Sequence, residues 1–279
     1  MTSLPYQYLY IYELLGDARA QARDLGPHYL GLWLEDDTSF LFFSAPAPQE
    51  VERLLAPGGL ILRQRHELTY EQWQGGLELK PCLVGDLFFC PAWSPAPPPS
   101  GARRLLIDPG LVFGSGLHPT TRHCLELLWL RRQRAPLGRV LDLGCGTGIL
   151  ALAAAAWGAE EVLAVDLNPL CVSTTANNAE LNGIELKAVE GASGDFLDRP
   201  AGLVLANLPW AVQEDLWAAP RALDGFPQLI LSGVMRSQVG KLEDLLRSRA
   251  YAITQRREAD FTWFSLWAQH PAAGAARIA

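Results

Sequence analysis

Residues 139–148, RVLDLGCGTG, constrain this chain more than any other stretch. Arg139 to Leu143 has the length and apolar character of a buried strand. The turn Gly144-Cys145-Gly146-Thr147-Gly148 follows, and an alanine-rich segment then reads as a helix to Trp157. The same rhythm repeats downstream. EVLAVD (161–166) leads into a helix from Asn168 to Asn182, and IELKAVEG (184–191) is a further strand. GLVLAN (202–207) and QLILSG (228–233) flank a helical AVQEDLWAAPRAL, and a helix from Met235 to Arg249 comes next. Strands alternating with helices predict an α/β fold, a doubly wound parallel sheet with helices on both faces. YAITQRREAD and FTWFSLWAQ follow with no helix between them, so they are expected to close the sheet as an antiparallel hairpin.

Upstream the pattern differs. Pro91 to Pro99 places five prolines in nine residues, an extended connector without backbone donors. Ahead of it, YQYLYIYELL and HYLGLWLEDDTSFLFFSA are rich in aromatic and strand-forming residues, while GDARAQARDLG (16–26) and APQEVERLLAPGG (47–59) read as helices. The expected organisation is a small α+β domain over 1–65, a proline-rich linker over 66–103, the α/β domain over 104–270 and a tail over 271–279.

At 279 residues, with 49% apolar and 19% charged, the chain has ample material for a core and is not globally disordered. It has no apolar run of membrane-spanning length, and its first twenty residues lack a signal-peptide pattern, so a cytoplasmic location is expected. Five scattered cysteines without a C-x-x-C pair argue against a disulfide framework and a zinc site. Residues 1–100 carry 6 Lys+Arg against 12 Asp+Glu, whereas 101–279 carry 17 against 18. Such a balance disfavours direct nucleic-acid binding. The acidic front third suits a basic protein partner, or simply keeps the chain soluble.

Ligands of doubly wound sheets lie at the carboxyl ends of the strands, beside turns such as 144–148. Asp166 stands 22 residues beyond Gly144, where a carboxylate can reach both hydroxyls of a ribose. Asn168 and Pro169 already supply the signals that start the next helix, which frees Asp166 for that role. The spacing is G-x-G-x-G, not the G-x-G-x-x-G of pyrophosphate binders, which disfavours a nicotinamide oxidoreductase.

Asp142-Leu143-Gly144-Cys145-Gly146-Thr147-Gly148 followed by Val165-Asp166 resembles the class I S-adenosylmethionine-dependent methyltransferases. The segment Asp108 to Thr121, DPGLVFGSGLHPTT, narrows the resemblance to the ribosomal protein L11 methyltransferase family (PrmA). The resemblance implies a Rossmann-like catalytic domain that takes S-adenosyl-L-methionine. It also implies a front domain that presents a protein substrate, and methyl transfer to lysine or N-terminal nitrogens of a ribosomal protein. Phe113, Gly114, Thr121, Asp142, Gly144, Gly146, Asp166 and Asn207 would then line the cofactor.

Asn207-Leu208-Pro209-Trp210 departs from the family by adding Pro-Trp, and leans toward the motif of methyltransferases that act on amino or amide nitrogen. Asn207, Pro209 and Trp210 are the expected catalytic residues. An amide carbonyl can aim a nitrogen lone pair, and an indole face can stabilise developing positive charge; a core role for Trp210 is the alternative. Asp195 is read either as facing the adenine or as a turn residue, and His118 as a base or as a backbone partner. Cys145 is given no nucleophilic role and no metal is expected. The chain is expected to act as a monomer. Rival readings are a different protein or small-amine acceptor, and a non-catalytic binder of the same nucleoside.

Overall fold

The computed structural model describes residues 6–73, 80–112, 116, 118–219 and 221–271. They form two compact units, one of the residues up to 79 together with 168–170, the other of 80–167 and the residues from 171 on. In the first, strands β1 (Tyr8–Leu15), β2 (Tyr29–Glu35), β3 (Thr38–Phe43) and β4 (Ile61–Thr69) make an antiparallel sheet in the order β2-β3-β1-β4. Helix α1 (Pro48–Leu55) turns Val51 and Leu54 onto a core of Tyr12, Leu14, Leu41 and Phe43. A short helix α2 (Tyr70–Trp73) follows β4 directly.

Two expectations change here. Residues 16–26 do not form a helix. Gly16 sits at φ +108°, the Asp17 carboxylate accepts the Arg19 N–H (3.0 Å), and Ser39 Oγ accepts the Ala18 N–H (2.9 Å). Ser39 Oγ also donates to Gly16 O (2.7 Å), a carbonyl that a helix starting here would use as an acceptor, and only one turn forms, Ala22 N–H to Ala18 O. The expected boundary at residue 65 also falls inside β4, which pairs with β1 as far as Thr69.

The second unit opens with strands where a linker was expected. β5 (Cys82–Val84), β6 (Leu87–Pro91) and β7 (Arg103–Ile107) form a three-stranded sheet. β6 and β7 pair in parallel, so the proline-rich run is the crossover between them. Leu87 to Pro91 are all buried, which is what ties this segment to the unit.

The main sheet comprises β8 (Arg139–Leu143), β9 (Glu161–Asp166), β10 (Lys187–Glu190), β11 (Leu203–Asn207), β12 (Gln228–Met235), β13 (Ala252–Ala259) and β14 (Trp263–Gln269). Its order is β10-β9-β8-β11-β12-β14-β13. The first five strands pair in parallel, and β14 pairs antiparallel with both β12 and β13. The doubly wound sheet and its closing hairpin therefore match the sequence reading. Helices α3 (Pro119–Arg132), α4 (Ile149–Ala156) and α5 (Pro169–Leu181) contribute to one core, with Leu125, Leu128, Leu152, Leu203, Leu205 and Ile230. Helices α6 (Trp210–Ala218) and α7 (Arg236–Ser248) cover the other face, where Leu143, Val204, Ala206, Leu231 and Trp217 are buried. Strand alternation assigns the faces: Leu203 and Leu205 point to the first core, Val204 and Ala206 to the second.

Candidate active site

The carboxyl ends of β8, β9 and β11 stand side by side, because β8 pairs with both β9 and β11. β8 ends in the glycine turn. Gly144 and Cys145 N–H both donate to Val165 O (2.8 and 3.0 Å), which clips the turn to the end of β9. Gly144, Gly146 and Gly148 have φ of +74°, +55° and +77°, a region that a side chain strains. A Cβ on Gly144 would lie 2.3 Å from Leu208 Cδ2, and one on Gly148 would lie 2.6 Å from Thr175 Cγ2. Bare glycine is what lets the backbone pass through this space.

Asp166 Oδ2 accepts the Gly146 N–H at 3.0 Å, so the carboxylate and the turn are held as one unit. Asn168 Oδ1 accepts the Leu170 N–H (2.9 Å), leaving the start of α5 to Asn168. Asp142 is buried on the α4 face, where its Oδ2 accepts the Ala151 N–H (3.1 Å). Its Oδ1 has no hydrogen-bond partner among the described residues. Burial pushes the Asp142 carboxyl up to about 7 and the Asp166 carboxylate adds to this, while the Ala151 N–H opposes it. A half-satisfied buried carboxyl of this kind favours a proton or a cationic group beside it. Burial and the neighbouring Asp142 carboxyl hold the Cys145 thiol far above its ordinary range, against the Thr175 hydroxyl that donates to its sulfur (3.3 Å), so the thiol form is favoured there.

Sequence reasoning passed over Asn178 on α5 and Asn182, four residues on and just past the helix end. Asn178 Nδ2 donates to Asp108 O and Thr147 O (2.8 and 2.9 Å), and its Oδ1 accepts the Asp108 N–H (2.8 Å). Asn182 pairs likewise with both backbone groups of Leu106 (2.7 and 2.8 Å). Two amides at helical spacing thus fix the end of β7 and the start of the 108–121 segment against the glycine turn. Their i, i+4 spacing was the signal available.

Thr121 and Asn207 come together. Asn207 ends β11 on the α3 face, and its Nδ2 donates to Thr121 Oγ1 at 3.3 Å. Thr121 lies within the first turn of α3, with His118 as the N-cap and Pro119 following. The His118 ring meets Thr120 Oγ1 (2.7 Å) and packs edge-on against Trp263, and burial lowers its pKa. It therefore serves its own helix end. Phe113 and Gly114 lie outside the described residues. Asp195 is exposed in a one-turn 3₁₀ helix, Ser193–Phe196, after β10.

Pro209 is the N-cap residue of α6. Trp210, placed at the site by the sequence reading, is instead buried in the core of the opposite, α6/α7 face. The cause is geometric: Asn207 is the last strand residue and faces α3, and the turn of α6 then carries the indole beneath the sheet. Its ring nitrogen has no hydrogen-bond partner among the described residues. Gln213, which the sequence did not reveal, holds the intervening turn. It is fully buried and its Nε2 donates to Leu208 O and Ser232 O, both at 2.7 Å. Leu208 N–H also donates to Ser232 O (3.2 Å), and Gly233, at φ +87°, lets Leu208 pass where a Cβ would lie 2.3 Å from its carbonyl oxygen.

This arrangement offers a carboxylate-held glycine turn for a nucleoside, a buried carboxyl for a cation, and an oriented amide at the adjoining strand end. The family model described as ribosomal protein L11 methyltransferase (PrmA) matches residues 61–271. A ribosomal protein L11 methyltransferase of Parasynechococcus marenigrum is 38% identical over 74% of this chain and 75% of its own length. One from Legionella pneumophila is 35% identical over 76% and 74%. The crystal structure of a ribosomal protein L11 methylase from Lactobacillus delbrueckii subsp. bulgaricus superimposes with a TM-score of 0.56 at 29% identity, covering 70% of this chain and 97% of that one. A site of this geometry on this fold, matched over three quarters of its length, makes the chain a member of the ribosomal protein L11 methyltransferase (PrmA) family.

Proposed function

We propose that this protein transfers methyl groups from S-adenosylmethionine to amino nitrogens, on lysine side chains or the N-terminus, of ribosomal protein L11. The observation that carries the reading is the juxtaposition of the Asp166–glycine-turn unit with the Asn207–Thr121 pair at neighbouring strand ends. Methyltransferase chemistry needs these two halves side by side, since donor and acceptor must be held in line.

The residues fit the cofactor. Asp166 would receive ribose hydroxyls, the backbone turn through Gly144 and Gly146 (φ +74° and +55°) would run beside the nucleoside, and the Asp142 Oδ1, without a hydrogen-bond partner among the described residues, suits a cationic amino group. When bound, S-adenosylmethionine supplies an activated methyl carbon on a sulfonium. Asn207, with its Nδ2 engaged by Thr121, presents Oδ1 to accept an N–H of the incoming amine and directs the lone pair. A protonated lysine has no lone pair, so the site must take the amine neutral, which desolvation favours. The acidic front domain recognises the basic acceptor by charge. The protein acts as a monomer in the cytoplasm and without direct contact to nucleic acid; no helix among the described residues is long and apolar enough to cross a membrane.

The test is incubation with tritiated donor and whole ribosomal protein, followed by mass spectrometry of the labelled band. Label on L11 is the expected result. Label confined to other bands would refute the acceptor assignment, and cofactor binding without any transfer would refute the activity.

A further inference from the structure

The hairpin joining β13 to β14 carries a large apolar residue where physical chemistry disfavours one. Asp260 and Phe261 both have left-handed φ, +52° and +53°, within a turn closed by Thr262 N–H donating to Ala259 O (2.9 Å). Glycine and asparagine are the usual residues there, and a bulky aromatic is an outlier. The ring gains little burial in return: Phe261 is 79% exposed. Arg236 nonetheless holds the tip in place. Its Nε donates to Phe261 O and its Nη2 to Glu258 Oε1, each at 2.7 Å, with the guanidinium 5.5 Å from the Phe261 ring centre. A strained, solvated and yet braced aromatic points to use in contact with something else.

Its position says what that is. Phe261 precedes β14, whose first residue Trp263 pairs with Met235, the last residue of β12. β12 in turn lies beside β11, which ends at Asn207. Met235 is 40% exposed, and Val212, in the first turn of α6 just past the Asn207 turn, is 46% exposed. Three exposed apolar side chains thus mark the carboxyl edge of the sheet on the acceptor side, from β11 across to the hairpin. Asp215 and Asp260 are exposed beside them. Arg236 beside the patch is paired with Glu258, so the carboxylates of Asp215 and Asp260 set its charge, and an apolar patch of this kind complements a basic protein segment that also offers apolar side chains.

We infer that Val212, Met235 and Phe261 form the docking rim for the acceptor protein, gripping the stretch of chain next to the nitrogen presented at Asn207. The inference rests on the functional reading above, and its test keeps the two separable. Phe261→Gly suits the left-handed turn, so the variant is expected to melt at or above the wild-type temperature and to keep its cofactor affinity. Its Kd for purified ribosomal protein L11, measured without donor by fluorescence anisotropy, is expected to rise about tenfold, as when an aromatic anchor is removed from an interface. Val212→Ser should raise it in the same direction. Leu83→Ser, an exposed apolar site on β5 outside the rim, should leave it unchanged. Equal Kd values for wild type and Phe261→Gly would overturn the rim even if L11 is methylated. A wild-type enzyme that binds L11 through Phe261 but does not methylate it would overturn the functional reading alone.

Discussion

Replacing Gln213 by leucine isolates what holds the acceptor turn. Leucine is close to glutamine in volume and its apolar side chain suits the core at this position, so packing is largely kept. What is lost is the Nε2 donor shared by Leu208 O and Ser232 O, and the Oε1 acceptor for Trp217 Nε1 (3.4 Å). Ser232 O keeps the Leu208 N–H, so its loss is that of an ordinary bond, about 1 kcal/mol. Leu208 O loses a buried donor, which costs about 1–3 kcal/mol. With the buried Trp217 Nε1 also left without its acceptor, at about another 1–3 kcal/mol, the sum is about 3–7 kcal/mol, a sizeable share of the stability of a domain this size, and corresponds to a fall in melting temperature of about 6–28 °C. Leu208 adjoins Asn207, so the turn that orients the amide should loosen as well. Below the new melting transition, kcat should fall at least tenfold while cofactor affinity changes little, since Asp166 and the glycine turn are untouched. Calorimetric melting, cofactor titration and single-turnover methylation measure the three. A variant with wild-type kcat would refute the positioning argument, and a melting point within about 2 °C of wild type would refute the hydrogen-bond arithmetic.

Three other outcomes follow from the site. Asp166→Ala should weaken cofactor binding about 100-fold by calorimetry, as expected for loss of a bidentate hydroxyl contact together with the Gly146 clip; unchanged affinity would remove Asp166 from the site. Asp142 is an acid whose pKa folding raises from 3.8 to about 7, so the fold retains its proton more tightly than the unfolded chain and stability falls as pH rises between those values. Without cofactor, Asp142→Asn should abolish that fall and be the more stable protein at pH 8, as guanidinium titrations at pH 5 and pH 8 would show. Gly233→Ala should destabilise by about 2 kcal/mol or more, because backbone rather than a flexible side chain blocks the new Cβ at φ +87°, and kcat should drop with it.

Much of the main sheet was written locally. Val140 to Leu143, the three glycines and Asp166 define a strand, a turn and a second strand end within thirty residues, and short-range periodicity and backbone freedom suffice to read them. The closing hairpin was readable for the same reason, two strand-like runs with no helix between. The positions of Thr121 and Asn207 at element ends were visible too, but their bond was not, since it joins residues far apart in the chain.

What only the tertiary structure decided has one physical origin: which face a side chain takes, and which distant backbone it meets, depend on long-range pairing. Leu87 to Pro91 becomes a strand because Arg103–Ile107 lies beside it across the proline-rich crossover. Residues 16–26 have helical composition, yet Ser39 of β3 takes up Gly16 O, an acceptor that a helix starting there would use. Trp210 follows Asn207 closely in sequence but lies beneath the sheet, because the strand ends and α6 begins between them. Gln213 looks like any polar residue in a surface helix until β12 brings Ser232 and Gly233 against the Leu208 turn. Local sequence determined the strands and helices of the main sheet and where the turns fall between them; long-range packing decided the remaining elements and which side chains meet at those turns.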